Sequence, residues 1–134
     1  MSKVVLDAYA VLALIENETG SEIVESYLAD EKAEIFLSVI SLGEIYYILM
    51  RRKSQQAADE LVSIIQMDES VRIIEATWPV VRKAATVKAR GGLSYADSFV
   101  VSLALEHDAV LVTGDPEILA VSKQIHFKLS WLGT

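Results

Sequence analysis

Apolar residues along this chain alternate between short β-branched runs and longer stretches of helical spacing. Residues 3–6 (KVVL) predict a strand that stops at Asp7, and residues 8–16 a helix apolar on nearly every side. NETG at 17–20 reads as a turn, and 21–30 as a helix with Ile23, Val24, Tyr27 and Leu28 on one face. Residues 35–39 predict a second strand. Ser41 then opens a helix whose apolar set (Leu42, Ile45, Tyr46, Leu49) keeps helical spacing up to Arg51, Arg52 and Lys53. Ser54 caps a helix over 55–67 with Ala58, Leu61, Val62 and Ile65 inward, and 71–75 is a third strand. Thr77 caps a helix that tolerates Pro79 in its first turn and ends at Gly91 and Gly92. A nearly all-apolar helix over 95–107 and a strand over 109–113 follow, then a short helix from Asp115-Pro116 to about 123 and a weaker strand over 125–129.

Strands separated by helices need crossover connections. The expected fold is therefore α/β in three layers (α/β/α), with a mainly parallel central sheet flanked by helices, as one domain over residues 1–134. The chain shows no linker, repeat or low-complexity segment.

Composition narrows the chemistry. At 134 residues and 52% hydrophobic, the chain is long enough for a real core and too apolar for disorder. It has no cysteine, which excludes disulfides and thiolate metal sites. No apolar run reaches the ~20 residues that span a bilayer. Asp7 and Glu16 interrupt the N-terminal apolar stretch and no A-x-A-type cleavage site follows, so a cytoplasmic location is expected. The net charge of −7 argues against a passive nucleic-acid binder, but not against a nuclease whose acids are neutralised by metal.

Four acids stand at helix starts: Asp7, Glu44, Asp97 and Asp115. Each has a structural explanation. Asp7 can be an N-cap, Ser41–Glu44 and Ser94–Asp97 match capping boxes, and Asp115 before Pro116 is a cap followed by proline. Together they suggest more, because Asp7 and Asp115 directly end apolar strands, and ligands of such sheets sit beyond those strand ends. Carboxylates sharing a pocket repel one another, and a cation relieves the repulsion. Hard oxygen donors favour Mg²⁺ or Mn²⁺, and such an ion can orient water for attack on phosphate.

The segments VLDAYAVLALIE, SLGEIYYIL and LSYADSFVVSLALEHDAVLVTGD, with the order of the four acids, resemble a PIN domain, in particular the VapC-type ribonuclease toxin. The resemblance spans nearly the whole chain. Its most specific part is an Asp in a buried helix followed, 18 positions later, by the acid of T-x-D. It implies that Asp7, Glu44, Asp97 and Asp115 bind Mg²⁺ or Mn²⁺ and hydrolyse single-stranded RNA, with Glu44 acting through water or a second ion. Thr113 would be a supporting hydroxyl. It also implies a homodimer and a cognate antitoxin whose basic tail the acidic chain would suit. One departure is Ala8, where many relatives carry Ser or Thr. Lys83 and Arg90, seven apart on one helix, could guide phosphate, and His107 and His126 are expected to play no catalytic part.

Other readings are an RNA-processing PIN nuclease outside a toxin–antitoxin pair and a non-catalytic module that binds metal or partner, the latter favoured only by Ala8. A phosphoryl-accepting receiver domain ranks last, because the acids are spread along the chain and no Lys follows a late strand.

Overall fold

The apolar runs form a sheet in the computed structural model, which describes residues 2–134. Its strands are β1 (Lys3–Leu6), β2 (Glu34–Ser38), β3 (Val71–Ile74), β4 (Val110–Thr113) and β5 (Lys128–Trp131). They lie in the order β3-β2-β1-β4-β5, and every pairing is parallel. The three central strands are buried on both faces, which explains why they read as continuous apolar runs without alternation. The crossovers are helical: α1 (Ala8–Ile15), α2 (Ser21–Ala29), α3 (Val39–Arg52), α4 (Gln55–Met67), α5 (Trp78–Ala89), α6 (Tyr95–His107) and α7 (Pro116–Val121).

The pleat of β1 divides the core. Val4 and Leu6 face one apolar cluster, built with Ala10, Val11 and Leu12 of α1, Val24 of α2, Ile45 and Leu49 of α3 and Ala58 of α4. Val5 faces the other, built with Val87 of α5 and Val100, Val101, Leu103 and Ala104 of α6. The expected three-layer α/β/α arrangement follows. Residues 97–104 of α6 are buried without a break, so this helix shows almost no polar face.

The structure moves several boundaries. Residue 39 begins α3 rather than ending β2, and the cap is Ser38, whose hydroxyl accepts from the Ile40 N–H at 3.1 Å. Ser41 is inside the helix, with its hydroxyl buried and unpartnered, so the Ser41–Glu44 capping box does not form. The last strand is shifted from 125–129 to Lys128–Trp131. Local apolarity suggested the earlier segment, but Ile125 donates its N–H back to Val121 and sits in the second core from a turn. Pairing of Leu129 with Leu111 and of Trp131 with Thr113 sets the register instead. Thr77 has extended backbone at the start of α5 but makes no side-chain cap bond.

Candidate functional site

The sheet order reverses at β1, which has β2 on one side and β4 on the other. The register pairs Leu6 with Val112, so Asp7, just past the end of β1, lies beside Thr113, the last residue of β4. The Thr113 hydroxyl donates to Asp7 Oδ2 and accepts from the Asp115 N–H at 3.0 Å. Asp7 Oδ1 accepts from the Ala10 N–H at 2.8 Å, which caps α1. One hydroxyl thus ties the carboxylate after β1 to the loop after β4. A hydrocarbon at 113 would break both links.

Asp97 enters from the first turn of α6, behind the Ser94 cap, whose hydroxyl accepts from the Asp97 N–H at 3.1 Å. Asp115 caps α7 by accepting from the Glu117 N–H at 2.9 Å. Carboxylate oxygens of Asp97, Asp115 and Glu117 all lie within 4.8 Å of one another. Glu117 is absent from the four acids singled out by sequence. Its signal was the acid following Asp115-Pro116, which reads equally well as a favourable charge in the first turn of a helix. Asp7 and Glu44 stand outside this tight trio but within its field. Asp97 and Asp115 both act on Asp7, and Asp115 acts on Glu44.

Burial dominates the electrostatics. Asp7 is 3% exposed, and burial raises its pKa to about 7 against the lowering effect of Thr113 and the Ala10 amide. Asp97 is also raised, first by burial and then by the adjacent Asp115 charge. Burial, then Asp115, raises Glu44 on half-buried α3. Bringing these carboxyls together in a buried setting favours their protonated forms, and a bound cation would favour the anions. An all-oxygen, all-carboxylate donor set suits a hard divalent ion such as Mg²⁺ or Mn²⁺ and gives no thiolate or imidazole to a softer one.

The remaining sequence candidates lie elsewhere. Ala8 is buried in the first turn of α1 and brings no polar atom to the site. Lys83 is ion-paired with Glu106, near the end of α6 opposite to Asp97. Arg90 is the exposed C-cap of α5. His107 stacks on Phe36 with ring centroids 4.4 Å apart, at the far end of α6 from the acids, and His126 is exposed in the turn before β5. Tyr46 donates to Asp59 of α4 at 2.7 Å, whereas Tyr47 lies exposed beneath the Arg51 guanidinium. Among the described residues, no helix is long and apolar enough to cross a membrane.

The sequence pattern of the PIN domain family matches residues 4–124. No curated protein matches the chain in sequence. Several solved structures share the fold. The sarcin-ricin loop cleaving toxin VapC20 of Mycobacterium tuberculosis aligns with a TM-score of 0.73 at 19% identity, over 88% of this chain and 94% of that one. A chain of the VapBC2 complex of Rickettsia felis, bound to a promoter DNA fragment, gives 0.73 at 18% identity, over 96% and 97%. The DNA-bound VapBC of Salmonella typhimurium gives 0.72 at 15%, over 98% and 99%.

Proposed function

Since this chain belongs to the PIN domain family, we propose that it is a Mg²⁺- or Mn²⁺-dependent endoribonuclease hydrolysing single-stranded RNA, and the toxin of a type II toxin–antitoxin pair. The observation that carries this reading is the gathering of Asp97, Asp115 and Glu117 within 4.8 Å, beside buried Asp7, at the carboxyl ends of the adjacent strands β1 and β4.

Asp97, Asp115 and Glu117 would hold the ion, with Asp7 completing the site from β1 and Thr113 fixing the Asp7 carboxylate against the Asp115 loop. When bound, the ion supplies Lewis acidity toward water and phosphate oxygen. Glu44, raised in pKa and less buried than Asp7, orients a water or serves a second ion. The N-termini of α1 and α6 present positive dipole ends to the substrate phosphate. Of the two cations considered for guiding the RNA backbone, Lys83 is engaged by Glu106 and Arg90 is exposed at the end of α5.

The toxin reading implies a protein partner and a homodimer. An apolar groove bounded by α1, α2 and α4, lined by Leu14, Ile15, Leu28, Leu61 and Ile64, supports an antitoxin helix seated there. Ile64, at the edge of this groove, is 63% exposed and available to a partner. The net charge of −7 suits a basic antitoxin tail reaching the acids.

The test is a cleavage map of total RNA with purified protein and Mn²⁺, with and without chelator, beside Asp97→Asn. Cleavage should vanish with chelator and in the variant, which should remain folded because it removes an unfavourable buried charge. Full activity in Asp97→Asn would refute the site. Metal binding without cleavage by the native chain would favour the non-catalytic module. Growth arrest on expression, relieved by a product encoded just upstream, separates a toxin from an RNA-processing nuclease.

A further inference from the structure

We propose that Tyr9 is a base-stacking platform that holds a nucleotide flanking the scissile phosphate, a role that rests on the ribonuclease reading above. Tyr9 is the second residue of α1, two positions after Asp7. Its neighbours Ala8 and Ala10 are buried, but Tyr9 is 43% exposed and belongs to neither apolar core. One side of the ring is nevertheless backed by the chain. It lies across Gly114, and a Cβ built at that position would fall onto the Cε1 and Cζ atoms of Tyr9. Gly114 does not have a left-handed backbone, so glycine is needed here for space and not for conformation. The residue is flanked by Thr113, which holds the Asp7 carboxylate, and by Asp115 of the acidic trio.

One side of the ring is therefore supported by the backbone between two parts of the acidic site, while much of the rest faces solvent. A partly open aromatic, backed on one side by the loop beside a phosphate-cleaving centre, is what a single-strand binder uses to catch a base. Every base has a π-face, so such contact tolerates sequence variation. A purely structural tyrosine, serving only to brace the 113–115 loop, would affect the reaction differently. Bracing acts on the position of Asp115 and therefore on kcat, whereas stacking acts on substrate capture and on KM.

The experiment is steady-state cleavage with Mn²⁺ of a fluorophore–quencher single-stranded RNA of mixed sequence. The native protein is compared with Tyr9→Leu, Tyr9→Phe and Tyr9→Trp. The same RNA is also made with one abasic ribose stepped through positions flanking the cleaved bond. Tyr9→Leu, which keeps an apolar cover over Gly114, should raise KM by about tenfold, with kcat within about twofold of native. Tyr9→Phe and Tyr9→Trp should behave as native. One abasic position should raise the native KM by a similar factor and leave that of Tyr9→Leu unchanged, because the two changes remove the same contact. A lower kcat at native KM in Tyr9→Leu, or additive abasic and Tyr9→Leu effects, would overturn the inference while leaving the ribonuclease reading intact. If the native protein cleaves no RNA, both fall.

Discussion

At the scale of single residues, Thr113 carries the most structural consequence for its size. Its hydroxyl donates to Asp7 and accepts from the Asp115 amide, so it serves a carboxylate and a backbone donor at once. In Thr113→Val the shape persists but both bonds go, leaving buried groups unsatisfied at a cost of about 1–3 kcal/mol. We expect a lower urea midpoint and a loss of Mn²⁺-dependent cleavage. A variant that keeps native turnover would show that Asp7 needs no such restraint. Glu117 tests the other side of the site. It is exposed and lies in the trio, so Glu117→Gln should weaken Mn²⁺ affinity, read by calorimetry, with little change in thermal stability. Unchanged affinity would remove it from the donor set.

At the scale of elements, the caps separate stability from chemistry. Ser54 accepts from the Ala57 N–H at 3.1 Å at the start of α4, with no acid of the site nearby in sequence. Ser54→Ala should cost ~1 kcal/mol of stability, measured by denaturant unfolding, and leave cleavage at the native rate. Asp7 and Asp115 are caps as well, to α1 and α7, so their replacement mixes both effects. Asp97 is a cleaner probe because Ser94, not Asp97, caps α6. The misplaced start of α3 has the same origin. In sequence Ser41 reads as the cap, but Ser38 takes that place because the parallel register with β1 and β3 fixes where β2 ends.

At the scale of the whole molecule, the acids set the pH dependence. Asp7 rises from 3.8 to about 7 in the folded state, so between those values the folded chain holds a proton that the unfolded chain has released. The metal-free protein should therefore lose stability as pH rises through that window, by at most about 1.4 kcal/mol per pH unit for each such group. Asp97 and Glu44, raised as well, act in the same direction. Thermal unfolding in chelator should show this fall, and Mn²⁺ should stabilise more strongly at higher pH, where its ligands are deprotonated. A Tm independent of pH in chelator would contradict the burial of these carboxylates. Much of this architecture was legible in the sequence. The apolar runs specify strands and helices because burial acts on local periodicity, and Asp7, Asp97 and Asp115 stand at element ends that any parallel α/β sheet brings toward one edge. The tertiary structure alone decided that Thr113 meets Asp7, that Glu117 joins Asp97 and Asp115, that Lys83 is engaged far from them and that β5 begins at Lys128. Those outcomes depend on register and on through-space distance between strands far apart in the chain, which local patterning does not encode.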